Sequence, residues 1–233
     1  MSYDVVVFGA HPDDAEMGMG GTIARFVRAG RSVLIVSLTR GERGTYGTTE
    51  GRAREATAAA AILGCTSRLL DFPDTQVENT LAGREAIAEL LREWRPQLVF
   101  APSHFSRFGH HDGAAHLDHL ATGSLVQDAI KLARLRGASK QKPPHDVQRL
   151  YTYMVPRDQH PTLLVDVTEV VDLLLQALRA YETQMEIKRQ GNSILDILLA
   201  IRRFHGIAAG CTYAEPFLAA ESLRADPDTL LRL

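Results

Sequence analysis

Several things are scarce in this sequence, and each scarcity narrows the field. Only two cysteines, Cys65 and Cys211, occur in 233 residues. They form no CxxC pair and cannot build the disulfide framework of a small secreted domain, which fits a reducing compartment. An excess of one charge is missing too. The 26 Lys+Arg nearly balance 28 Asp+Glu, a formal −2, so there is no electrostatic footprint for nucleic acid or an anionic bilayer. No uncharged apolar run reaches the roughly 18 residues of a membrane-spanning helix. The opening MSYDVVVFGAHPDD has no basic n-region and only a short apolar run, unlike a secretory signal. These absences predict a soluble cytoplasmic protein with no nucleic-acid partner and no membrane partner. Internal repeats, low-complexity stretches and clear linkers are also lacking. Residues 140–144 read as a surface loop rather than a boundary, so one domain over residues 1–233 is expected.

What is present is patterned. Hydrophobic residues make up 45%, enough for a substantial core at this length. Apolar, β-branched runs at residues 4–10, 32–39, 68–72, 98–102, 150–155 and 162–167 read as strands. Helical spacing covers residues 20–29, 52–63, 81–94, 116–136, 168–189 and 192–207. Residues 40–51 and 103–115 read as polar loops, and Pro73-Asp74 and Glu215-Pro216 as turns. Strands alternating with helices predict an α/β, Rossmann-like three-layer fold with a mostly parallel central sheet. In such sheets ligands bind beyond the carboxyl ends of the strands. That rule selects the loops after Ala10, Thr39 and Pro102, where the unusual polar residues lie.

The first loop, Ala10-His11-Pro12-Asp13-Asp14-Ala15-Glu16, puts four ionisable side chains directly after a buried strand. Carboxylates this dense repel one another unless a cation gathers them, and carboxylate with neutral imidazole is a metal-ligand set. His11 and Asp14, three residues apart, fall on one side of a helix-like turn. The competing reading is a helix cap built from Asp13 or Asp14. The second cluster, His116-Leu117-Asp118-His119, places two histidines at i and i+3. Alone this spacing is equally a solvated face; paired with the first loop it supplies a third ligand. Three protein ligands leave zinc an open position, the mark of a catalytic site. Gly18-Met19-Gly20-Gly21 lacks a phosphate-loop spacing and reads as a turn supporting the acidic loop. Arg40, Arg43 and Arg54 are candidates for holding an acidic group. Tyr213 and Glu215 read as structural, His104, His145, His160 and His205 as surface or loop residues, and the cysteines as small buried apolar groups.

AHPDDAE followed by GMGGT, and later HLDH, resemble the AHPDDxE and HxDH motifs of the PIG-L/LmbE-like zinc deacetylases. TRGERGTYG at residues 39–47, the helix at 52–64 and YAEPF at 213–217 extend the likeness over most of the chain. Within that family the chain most resembles enzymes similar to the N-acetylglucosaminyl-malate deacetylase of bacillithiol synthesis. The resemblance implies a metal-dependent amidohydrolase acting on an amino-sugar conjugate, with one Zn2+ per chain held by His11, Asp14 and His119. It implies Asp13 as general base toward water, His116 as the histidine that stabilises the oxyanion or protonates the amine, and Asp118 as its modulator. It further implies Arg54 at the sugar or its acidic aglycone, beside which Arg43 stands as a candidate by its place in the Gly-rich loop, and a homo-oligomer, trimer or hexamer. The family pattern Arg-His-Pro-Asp-His is broken here, since position 115 is Ala and position 117 is Leu. His110, His111 and Asp112 therefore compete with His116 and His119 for the same roles. Two alternatives stand beside a GlcNAc-malate substrate. One is deacetylation of a chito-oligosaccharide or another glycoconjugate; the other is a non-hydrolytic Rossmann-like nucleotide or phosphosugar binder.

Overall fold

In a computed structural model, residues 2–105, 117–139, 141–156, 158–185, 187–189, 191–219 and 221–222 are described. The strands are β1 (Val5–Gly9), β2 (Val33–Ser37), β3 (Thr66–Leu69), β4 (Leu98–Pro102), β5 (Arg149–Tyr153), β6 (Leu163–Asp166), the two-residue β7 (Lys188–Arg189) and β8 (Asn192–Ser193), and β9 (Ala214–Ala219). The α-helices are α1 (Asp14–Arg28), α2 (Thr49–Leu63), α3 (Leu81–Trp94), α4 (Leu117–Ala133), α5 (Val171–Arg179), α6 (Glu182–Met185) and α7 (Ile194–Ala209).

The main sheet runs β3-β2-β1-β4-β5-β9-β6. Strands β1 to β5 pair in parallel, and β9 lies antiparallel between β5 and β6. This is the expected Rossmann-like three-layer architecture. Because β1 is buried on both faces, its VVVF run can be continuously apolar. Val5 and Val7 face one core with Met19 and Ile23 of α1 and Ala56, Ala59 and Leu63 of α2. Val6 and Phe8 face the other, with Ile87 and Leu91 of α3 and Leu125 and Val126 of α4. The chain therefore crosses to opposite faces on either side of β1. The switch between β1 and β4 opens a crevice at their carboxyl ends.

The structure corrects several expectations. Helix α1 begins at Asp14, not at residue 20, and is kinked at Met19 (φ −151°). The glycines at 18, 20 and 21 lie inside it, where an added Cβ would meet Tyr153, Leu174 and Val167 at 2.3, 2.6 and 2.7 Å. They let α1 pack closely on its neighbours and form no phosphate loop. The expected long helix over 168–189 breaks into a 3-10 turn, α5 and α6. Glu215-Pro216 is not a turn but part of β9. Pro216 is tolerated because the β5 side of β9 pairs only at Leu218 and Ala219, beyond the missing N–H. His145 is buried against the Pro96 carbonyl, 2.7 Å from Nε2. Both cysteines are half-buried. Among the described residues no helix is long and apolar enough to cross a membrane.

Candidate metal centre

Strand β1 ends at Gly9, and the chain turns sharply through His11-Pro12-Asp13 into α1. Asp13 stands at the N-cap position with φ 113°, yet its side chain makes no capping bond. The helix-cap reading of the acidic pair therefore fails for Asp13. Asp14 does not cap α1 either. Its Oδ2 accepts the backbone N–H of Ala10 and of His11, each at 2.8 Å. These amides leave Oδ1 facing His119 Nε2 at 3.0 Å. His11 Nδ1 lies 3.7 Å from Asp14 Oδ2, and the two imidazole rings stand 5.5 Å apart. One donor atom from each of His11, Asp14 and His119 falls within 4.8 Å of the others. Two imidazoles and a carboxylate converging on one point are the donor chemistry of a catalytic zinc site, so the residues present fit the ion that the sequence implied.

The electrostatics of the turn follow from its burial. Burial opposes the ionised form of Asp14, but His119 and His11 outweigh it and hold that carboxyl well below the usual range. Burial also opposes the imidazolium of His11; its bond to Asp14 and the charges of Asp14, Asp74 and Asp13 prevail and raise it to about 9. Burial, and then the charge of Asp14, push Asp13 up to about 7. A bound dication reverses the shifts of His11 and Asp13, favouring neutral imidazole and carboxylate, and acts in the same direction as the two histidines on Asp14. Glu16 is buried deeper along α1, where the Tyr181 hydroxyl donates to its Oε1 at 2.9 Å, and burial pushes it up to about 7.

Three features of the site were missed in the sequence. The first is Arg52. Its Nη2 donates to the Pro12 carbonyl at 2.7 Å and to Asp13 Oδ2 at 3.2 Å, and its Nη1 to the Gly41 carbonyl at 3.2 Å. Arg54, two positions on, is exposed on α2. Two residues turn a helix by about 200°, so the packing of α2 sends Arg52 inward and Arg54 outward. Gly41 explains part of the Gly-rich loop: its φ is +65°, and an added Cβ would lie 1.9 Å from Arg52 Nη1. Arg43 is exposed, with its guanidinium on the Thr75 hydroxyl at 2.9 Å.

The second is Asp74, in the turn after β3. It is buried, with Oδ1 3.1 Å from His11 Nε2 and Oδ2 accepting the Arg43 N–H at 2.8 Å. A lone Pro-Asp turn gives no local sign of this; its one signal is its place at the carboxyl end of a parallel strand. The third is the placement of Asp118. Its Oδ2 lies 3.2 Å from His11 Nε2 and accepts the Thr75 N–H at 2.7 Å, while Oδ1 accepts the Val77 N–H at 3.2 Å. His116, His110, His111 and Asp112 lie outside the described residues. Glu215 proves structural in its contacts. It takes the amides of Gly21 and Thr22 at 3.0 and 2.7 Å and pairs with Arg202 at 2.7 Å.

The chain resembles known proteins in sequence and in fold. The profile of the PIG-L family (GlcNAc-PI de-N-acetylase) matches residues 6–130, more than half of the chain, including the acidic turn, Arg52, Asp74 and the HLDH motif. Diacetylchitobiose deacetylase of Thermococcus kodakarensis is 29% identical, covering 91% of this chain and 80% of that protein. A 1D-myo-inositol 2-acetamido-2-deoxy-alpha-D-glucopyranoside deacetylase of Saccharopolyspora erythraea is also 29% identical, covering 76% of each. The crystal structure of the conserved protein TT1542 from Thermus thermophilus superposes with a TM-score of 0.86 at 36% identity, over 97% of this chain and 98% of that one. The chain therefore belongs to the PIG-L family of de-N-acetylases, hydrolases that act on amides.

Proposed function

We propose that this protein hydrolyses the acetamide of an N-acetylglucosaminyl conjugate, releasing acetate and the free amine, with one zinc ion per chain held by His11, Asp14 and His119. The observation that carries this reading is the convergence of those three donor atoms beside Asp13, at the carboxyl end of β1. When bound, the ion supplies Lewis acidity toward the amide carbonyl and toward water.

The chain's own residues supply the proton chemistry. Asp13, held by Arg52 at the rim of the donor set, accepts the proton of the attacking water. The water oxygen adds to the acetyl carbon, and the C–N bond breaks as the amine takes a proton. His116, which begins the HLDH motif, is assigned to donate that proton and to stabilise the developing oxyanion. Arg43 and Arg54 remain candidate contacts for the part of the substrate that reaches beyond the sugar. Both are exposed, so either would act at the outer edge of the site.

The resemblance to N-acetylglucosaminyl-malate deacetylases supports a malate aglycone. The named relatives, acting on diacetylchitobiose and a GlcNAc-inositol, support the chito-oligosaccharide and other glycoconjugate alternatives. We further infer a cytoplasmic homo-oligomer, a trimer or hexamer by the same resemblance, acting on a small molecule rather than on nucleic acid or membrane.

Acetate release from GlcNAc-malate, diacetylchitobiose and GlcNAc-inositol by the zinc-loaded protein tests the reading. Turnover of at least one, fastest with malate, and its loss in His119→Ala together with the metal, is the expected result. No acetate from any of the three overturns the function. A preference for a neutral aglycone overturns the malate assignment alone.

A further inference from the structure

Among the described residues, His11 faces two acidic environments. Its Nδ1 looks toward Asp14 and so toward the donor set that includes His119. Its Nε2 looks the other way, 3.1 Å from Asp74 Oδ1 and 3.2 Å from Asp118 Oδ2. Carboxylates only accept, so the nitrogen facing them carries the proton. In the neutral imidazole that an ion requires, that leaves Nδ1 with the lone pair for the cation. Both carboxylates are pinned by backbone amides: Asp74 by Arg43 N–H at 2.8 Å, Asp118 by Thr75 and Val77 N–H at 2.7 and 3.2 Å. Thr75 supplies its amide from a left-handed backbone, φ 63°, which a non-glycine residue adopts only when its surroundings hold it there. The turn after β3 is thus shaped to deliver two acceptors to one N–H.

We propose that Asp74 is a positioning residue of the metal centre: together with Asp118 it holds the Nε2–H of His11, fixes the ring's tautomer and orientation, and ties the β2–α2 loop to the ligand. The tie runs through both ends of Asp74, since its carboxylate takes the Arg43 amide and its own amide donates to Glu42 Oε1 at 2.8 Å. The geometry separates this role from direct ligation. His11, Asp74 and Asp118 also bring donor atoms within 4.8 Å of one another. However, both Asp118 oxygens and the second oxygen of Asp74 already accept backbone amides. The side chains of Asp74 and Asp118 are 3% and 1% exposed, against 12% for His11 and His119. The two carboxylates of that second group are the more deeply buried, Asp14 of the first being 5% exposed. A single neutral imidazole has one lone pair, and with Nε2–H donated to the two carboxylates it lies on Nδ1, toward Asp14 and His119.

The inference rests on the zinc reading above, and its test separates the two. Zinc affinity of the metal-free full chain is measured by competition with a chromophoric chelator, beside the visible spectrum of the cobalt(II)-loaded protein and the Tm of the metal-free form. Asp74→Ala is expected to weaken zinc binding about 10- to 100-fold and to alter the cobalt spectrum, with one ion still bound per chain at saturation. Asp74→Asn retains one acceptor for two donors and is expected to fall between Ala and wild type. If Asp74→Ala is too unstable to assay, the Asn variant alone decides by the same measurements. Wild-type affinity and spectrum in the variants, with only the Tm lowered, would make Asp74 a structural residue and overturn the proposal. Two zinc ions per wild-type chain, falling to one in Asp74→Ala, would make it a ligand and also overturn it. A wild-type chain that binds no zinc, or a His119→Ala chain that binds it unchanged, removes the underlying metal reading instead.

Discussion

Arg52 Nη2 stands 3.2 Å from Asp13 Oδ2 and 2.7 Å from the Pro12 carbonyl oxygen, so one guanidinium holds both the side chain and the backbone of the acidic turn. Both partners are nearly sealed from solvent, at 6% and 10% side-chain exposure. Removing either leaves the other's charge buried. Arg52→Ala is expected to destabilise the metal-free protein by about 3 kcal/mol, read as a fall in the urea midpoint. Arg52→Lys keeps the charge but lacks the fork that reaches Pro12 O, Gly41 O and Asp13 together, and is expected to recover only part of the loss. Equal midpoints for Arg52→Ala and wild type would show that the pair adds nothing to stability.

Asp13 is the residue to change for chemistry. Its φ of 113° favours Asn over Ala, because Asn tolerates positive φ and Ala adds backbone strain. Asp13→Asn is expected to keep zinc at wild-type stoichiometry and to lose about 10²- to 10⁴-fold in kcat. Metal analysis and acetate release on the same sample check both halves. Retained turnover would remove Asp13 from the base role.

Glu215 joins β9 to α1 and α7. It accepts the Gly21 and Thr22 amides just beyond the kink at Met19, and it pairs with Arg202, whose Nη2 also donates to the Met17 carbonyl at 2.8 Å. Glu215→Ala strands a buried arginine and two amides. A loss of about 4 kcal/mol is expected, or roughly 10 °C in Tm at this chain length. The zinc affinity of the protein that remains folded is expected to stay within a few-fold of wild type.

At the amino-terminal end of β1, away from the site, Asp4 Oδ2 accepts the Ser32 amide and hydroxyl, each at 2.8 Å. The Ser32 backbone bond, and then its hydroxyl bond, hold the Asp4 carboxyl below its ordinary value. A depressed folded-state pKa contributes stability above the unfolded value, and that contribution is lost as pH falls through the folded value. Ser32→Ala is therefore expected to lower Tm slightly near neutrality and to converge on wild type in strong acid. A gap between the two that widens toward low pH would contradict the sign of this linkage.

The fold class and the first half of the site were legible because their causes are local. Buried parallel strands must be continuously apolar, and DVVVFGA and SVLIVSLT say so within eight residues each. The turn after β1 is a contiguous set, so His11, Asp13 and Asp14 could be singled out without knowing what lies opposite. Helix spacing and the sheet rule place the HLDH cluster at the same end, and the family resemblance selected His119 from it.

What only the tertiary structure decided depends on phase and distance. Whether Arg52 or Arg54 turns inward depends on how α2 packs on the sheet, and an Ala-rich helix carries little amphipathic signal to fix its rotation. Asp74 reaches His11 across 63 positions in sequence, through a turn whose composition is that of any surface turn. Asp118 lies against His11 because α4 brings its first turn over β1. Pro216 sits in a strand because the neighbouring ladder starts two residues later. The sequence named the ligand types; the packing of α2, α4 and the turn after β3 around β1 chose which side chains hold them, because burial and orientation are properties of the assembled layers and of no single segment.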